Sequence, residues 1–233
     1  MRHSLCFVSL LLGCSGLPND DTGEDTDTDE AQVPLEGQGS LSGDCGLIDE
    51  TELVSPLPFY FSNSIDFGEA FNEEDLTEGG QEILTDGNLG GSSIWSEIIS
   101  FEVLHRCDYA SLLKTEGEIA YQDSGGKKTD LLVSLDGVTT GVSVTRAFGW
   151  PPEDPYTLEQ ATELLEKKLG DIPLSTANVA QPDIWTKQIL HILAYTADHA
   201  ATIEQAWNTL QDTLKLDTIV VVTTTEGDDE IMY

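Results

Sequence analysis

Thr129-Asp130-Leu131-Leu132-Val133-Ser134-Leu135-Asp136-Gly137, followed after three residues by Gly141-Val142-Ser143-Val144-Thr145-Arg146-Ala147, is the stretch on which the fold turns. Two runs of aliphatic and β-branched residues parted by Asp-Gly predict two strands joined by a turn. Trp150-Pro151-Pro152 ends the second run. Upstream, Glu118-Ile119-Ala120-Tyr121 reads as a further short strand, closed by the turn residues Asp123-Ser124-Gly125-Gly126. Before these strands, Ser92-Ser93 offers an N-cap, and Ile94, Ile98, Phe101 and Leu104 recur at helical spacing through about Arg106.

Downstream, Thr157-Leu158-Glu159-Gln160 fits a capping box. Leu158, Ala161, Leu164, Leu165 and Leu169 form the apolar stripe of that helix; Gly170 is placed to end it, and Glu163 can pair with Lys167 outside. Residues 183 to about 197, with Trp185, Ile189, Ile192 and Leu193, predict another helix, and Ile203, Ala206, Trp207, Leu210 and Leu214 a further one. Thr218 to Thr224 contains Ile219-Val220-Val221-Val222, apolar on both faces, as in a strand covered on both sides. The expected fold class is α/β, in the order helix, three strands, helices, strand.

The chain opens Met1-Arg2-His3-Ser4, then the apolar run Leu5 to Leu12, then Gly13-Cys14. A positive start and a short apolar run are the parts of a secretory signal, and the run is far below the roughly 20 residues a spanning helix needs. Leu11-Leu12-Gly13-Cys14 resembles the lipobox of bacterial lipoproteins. The resemblance implies cleavage before Cys14, acyl chains such as palmitate on Cys14, and a lipid bilayer as the first partner. Ser15 in place of Asp suits the outer membrane of a bacterial cell envelope. Residues 15 to 44 hold nine acids and no Lys or Arg, as in a self-repelling disordered tether. Asp25, Asp27, Asp29 and Glu36 have a calcium-loop spacing, but Glu30 stands where Gly is required, so a charged tether is the reading. Residues 45 to 91 carry prolines at 56 and 58 and several Gly breakers, among them Gly79-Gly80. The division is therefore 1–13 signal peptide, 14–44 lipidated Cys and linker, 45–91 irregular extension, and 92–233 α/β core.

Acidic residues number 43 against 10 basic, a formal charge of −33. Such a charge repels polyanions and argues against nucleic acid as a partner; a protein partner cannot be read. With Cys6 in the signal and Cys14 acylated, Cys45 and Cys107 remain. In an exported protein they invite a disulfide, the alternative being two unrelated thiols.

The element order resembles the PD-(D/E)XK nuclease-like core, an αβββαβ unit of restriction-endonuclease-like type, here with extra helices, over about 92–225. In that family a Glu on the first helix, an acid on the second strand and an acid-x-Lys on the third hold Mg2+ and activate water. The resemblance assigns Glu97 to the helix and Asp130 to the second strand. On the third strand it meets Ser143-Val144-Thr145, or Arg146 in a shifted register, so the acid and the lysine are missing. This implies a non-catalytic member acting as a membrane-anchored binding or interaction module. The alternative is a divergent magnesium-dependent nuclease or phosphodiesterase using Glu97 and Asp130. The expected site is Glu97, Asp130, Ser143, Thr145 and Arg146, with Glu97 and Asp130 as the metal ligands if it is active.

Overall fold

Strands β1 (Ser40–Gly43), β2 (Phe59–Asp66), β3 (Ser111–Thr115), β4 (Leu131–Leu135), β5 (Val138–Ala147), β6 (Lys187–Ala194) and β7 (Ile219–Glu226) form one mixed sheet in the order β1-β2-β7-β6-β5-β4-β3. These belong to a computed structural model that describes residues 34–68, 71–89, 94–149, 151 and 154–233. The secretory signal, Cys14, the tether up to residue 33 and the Ser92-Ser93 cap lie outside the described residues. β2, β7, β6 and β5 run parallel; β4 and β3 fold back antiparallel at one edge, and β1 pairs antiparallel at the other. The helices are α1 (Glu50–Val54), α2 (Glu78–Asp86), α3 (Ile94–Asp108), α4 (Leu158–Asn178), α5 (Ala197–Thr209) and α6 (Asp212–Lys215). The protein is thus mixed α/β.

Alternation along the strands makes two cores. Ile189, Ile219, Val221, Val142 and Val144 point to one face and pack with Ile98, Phe101 and Leu104 of α3. Leu190, Ile192, Val220 and Val222 point to the other and meet Ala161, Leu165 and Leu169 of α4 and Ile203 and Trp207 of α5. β6 and β7 are buried almost from end to end, as parallel strands between two helical layers must be. α3 is buried nearly all round because its far side, Ile99, Val103 and Cys107, packs in a further cluster with Cys45, Ile65, Phe67, Leu193 and Met232. A helix enclosed this way needs no amphipathic stripe.

Polar groups inside this sandwich pair with one another. Under α3, Ser100 Oγ lies 2.7 Å from His191 Nδ1, and His191 Nε2 lies 2.7 Å from Thr223 Oγ1. Thr223 donates its hydroxyl proton to Asn63 Oδ1. That hydroxyl has one proton, so it accepts from His191 Nε2–H, and the bare Nδ1 accepts from Ser100. The chain of bonds runs across β6, β7 and β2 and helps set their register.

The last turn of α3 holds the segment before β2. The Arg106 guanidinium donates to the carbonyls of Leu35, Gln38 and Gly39. Cys107 forms a disulfide with Cys45, with Cα atoms 4.8 Å apart, and Asp108 accepts from the N–H of Ile48.

Several elements differ from their sequence readings. Residues 59–66, inside the expected irregular extension, form β2; Pro56 and Pro58 stop short of it, and a proline just before a strand removes no ladder bond. Ser40–Gly43, inside the expected tether, pairs with β2 as an edge strand. Gly79-Gly80 lies within α2 rather than breaking the chain, because the helix crosses α3 there: a Cβ on Gly79 would come 2.3 Å from Phe101, and one on Gly80 2.2 Å from Glu102. Glu118–Tyr121 is a turn with one bridge from Tyr121 to Val179; the strand after α3 is β3. The expected helix at 183–197 is β6, whose apolar residues at every position also fall at helical spacing. α4 keeps its capping box but passes Gly170 and runs to Asn178, because Ile172 and Ser175 continue the buried stripe. Glu163 and Lys167 form no ion pair within 4.0 Å.

Candidate functional site

β5 has ten residues and β4 five. Their register runs from Leu135 opposite Val138 to Leu131 opposite Val142, so β5 continues past the start of β4 while still paired to β6 on its other side. A fork opens where β4 begins, at Leu131. Main-chain groups of Val144 that would have faced β4 need other partners. Asp130 Oδ2 accepts the Val144 N–H at 2.6 Å, and Lys168 Nζ, reaching over from α4, donates to the Val144 carbonyl at 3.1 Å. Two charged side chains thus take the place of a strand.

Beside this fork lies a cleft of about 210 Å³ lined by Ser96, Glu97, Asp130, Val144, Thr145, Arg146 and Lys168. α3 supplies Ser96 and Glu97 at its first turns. Glu97 is 2 % exposed, and the Asn88 side chain donates to its Oε1 at 2.7 Å. Ser96 is also buried, and its hydroxyl has no hydrogen-bond partner among the described residues. Burial pushes the Asp130 carboxyl up to about 6, against the Val144 N–H, the Lys168 charge and the Ser143 hydroxyl, which pull it down. The Arg146 guanidinium donates through Nη1 to the carbonyl of Met232, tying the last described residues to β5.

Glu97, Asp130, Thr145 and Arg146 therefore line one cleft, although they lie up to 49 residues apart in the chain. Ser143 is not in its lining but stabilises the Asp130 carboxylate. Two polar lining residues were missed in the sequence, Ser96 and Lys168. Lys168 had a signal: it directly precedes Leu169 of the buried stripe, where a lysine can lay its stem along the core and carry its charge to the sheet.

Magnesium needs several oxygen ligands in a near-octahedral arrangement. Here the cleft offers two carboxylates. One of them, Asp130, already caps Val144, an ammonium stands nearby, and Ser143 and Thr145 replace the acid-x-Lys pair. These residues do not fit a resident magnesium ion. Among the described residues, the group of three acids whose ligand atoms all lie within 4.8 Å of one another is Glu82, Asp86 and Glu118, exposed and outside this cleft.

The fold and cleft define an α/β domain with a small, charge-lined site at a sheet fork. The chain is 40% identical over 153 residues to the "AAC-rich mRNA clone AAC4 protein" of Dictyostelium discoideum, a match that covers 63% of this chain and 22% of that protein. No protein-family model matches the chain. No solved structure matches it.

Proposed function

We propose that this is a lipid-anchored envelope protein whose domain is a divergent PD-(D/E)XK-like unit serving as a non-catalytic binding module. The succession α3, β3, β4, β5, α4, β6, with three antiparallel strands followed by a parallel one, supports the restriction-endonuclease-like type. The observation that carries the non-catalytic reading is the double capping of Val144. Asp130 Oδ2 and one N–H of Lys168 are engaged at a strand end, which fixes both side chains there and leaves an oxygen and two N–H donors for a bound ligand rather than an acid-x-Lys pair for catalysis. The cleft then remains as the binding site.

Anchoring rests on Leu11-Leu12-Gly13-Cys14, and the Cys45–Cys107 disulfide suits an oxidising compartment. No helix among the described residues is long and apolar enough to cross a membrane. The full chain expressed in a bacterium with an alkyne analogue of palmitate is expected to take up label that Cys14→Ser loses. An intact mass with Met1 retained and an unmodified Cys14 would overturn the anchor. Incubated with DNA or RNA and magnesium or manganese, the chain is expected to leave both intact. Cleavage abolished by Glu97→Ala and Asp130→Ala would replace the binding reading with the nuclease one.

A further inference from the structure

We infer that the cleft at the β4–β5 fork binds a small zwitterion, a free α-amino acid being the simplest, with its carboxylate toward Arg146 and Lys168 and its ammonium toward Glu97 and Asp130. This rests on the binding-module reading and gives it a ligand class.

Two acids, two bases and two hydroxyls line about 210 Å³. Of the nine arginines and lysines among the described residues, Lys114, Lys127 and Lys215 sit within 4.0 Å of a carboxylate, and the other six do not. Arg146 and Lys168 share a cleft with two acids, yet no carboxylate of a described residue lies within 4.0 Å of either. Opposite charges are thus held close but apart in one enclosure. Their donors are largely unspent: Arg146 uses one N–H on the Met232 carbonyl, and Lys168 one on Val144. Guanidinium has five N–H donors and ammonium three. Ser96 is 3 % exposed, its hydroxyl without a partner, in the same lining. A buried hydroxyl left in that state is an unmet bond that a ligand atom can complete.

The sign pattern selects the ligand. A simple anion meets Glu97 and Asp130 as well as the field of a strongly acidic protein. A simple cation meets Arg146 and Lys168. A molecule bearing both charges finds an opposite charge in the lining for each of its ends. Size adds a second limit: the space is below the roughly 300 Å³ at which pockets for drug-sized ligands begin, so a nucleotide does not fit and a small amino acid does.

The test is thermal unfolding of the detergent-solubilised full chain, with glycine, alanine, serine or aspartate raised to about 10 mM, where any ligand that binds the native state raises the midpoint. Acetate, methylamine, inorganic phosphate and magnesium serve as single-charge probes. At least one amino acid is expected to raise Tm while none of the single-charge probes does. Lys168→Met and Glu97→Gln are each expected to remove the shift. Because those variants disturb a buried fork, Ser96→Ala supplies the control. Its hydroxyl supports no bond of the free protein, so unliganded Tm should hold while the amino-acid shift shrinks. No shift with any amino acid overturns the inference. A shift with phosphate alone that depends on Lys168 overturns it in favour of an anion site and leaves the binding-module reading intact. A magnesium-dependent shift together with cleavage overturns both.

Discussion

Acidification should strain this fold through one imidazole. His191 lies in the middle of β6 with no solvent exposure, between Ser100 and Thr223. Burial lowers its pKa from 6.5 to about 3, against the main chain of Ser100, which raises it. In the unfolded chain the ring protonates near 6.5; in the folded chain it stays neutral. Below about pH 6.5 the unfolded state therefore binds the extra proton, and stability falls as pH falls. The stabilising contribution is whole above the unfolded pKa and drains away toward the folded one. From about pH 7.5 to about pH 5 the loss from this single group is about 2 kcal/mol, a large share of a typical 5–15 kcal/mol.

Two carboxyls oppose it. Burial pushes Asp108 up to about 7 and Asp130 up to about 6, each held back by backbone N–H groups. Their raised folded pKa values add stability below about pH 4 that is lost as pH rises through those values. The wild-type pH profile alone would therefore mislead. Urea unfolding at a series of pH values should be run on the wild type and on His191→Gln, and the difference taken, since Asp108 and Asp130 cancel in it. His191→Gln is expected to be less stable at about pH 7.5, with the gap narrowing by about 2 kcal/mol, or about 1 M in urea midpoint, by about pH 5. A gap that stays constant across this range would show that His191 is not held neutral, and the buried hydrogen-bond chain as described would be wrong.

Two further results are expected. Reduction, or the Cys45→Ser, Cys107→Ser double variant, frees a loop whose ends are 62 residues apart. It should cost about 4 kcal/mol in the chain-entropy account, a fall of about 8–16 °C in Tm; an unchanged midpoint on adding reductant would contradict the bridge. Gly79→Ala improves helix propensity by about 1 kcal/mol, yet its methyl would meet the Phe101 ring at 2.3 Å. The overpacking cost of about 1–3 kcal/mol should prevail, and a variant more stable than wild type in urea would show that α2 does not cross α3 there.

The helix from Ile94, the pair of strands around Asp136-Gly137, the capped helix from Thr157 and the doubly buried Ile219-Val220-Val221-Val222 could all be read from one-dimensional signals. Each is stated locally, by a cap, a turn pair or a period. Glu97 and Asp130 could be read too, since a carboxylate on an apolar face and an acid at a strand start are unusual in themselves.

Other features depend on what lies opposite. β6 carries apolar side chains at every position, and only the presence of helices on both faces makes that pattern a strand rather than a buried helix. β2 is recognisable as a strand only because β7 offers it an unpaired edge. Lys168 and Ser96 enter the cleft because β4 is shorter than β5, a difference of length between two neighbours that no single segment records. The amino-acid sequence by itself determined the elements that carry their own cap, turn pair or period, and the two cysteines that pair. Which carboxylate meets which cation, and which backbone group they cap, was decided by tertiary structure, because hydrogen bonds and charges act across space between residues whose separation along the chain carries no trace of the meeting.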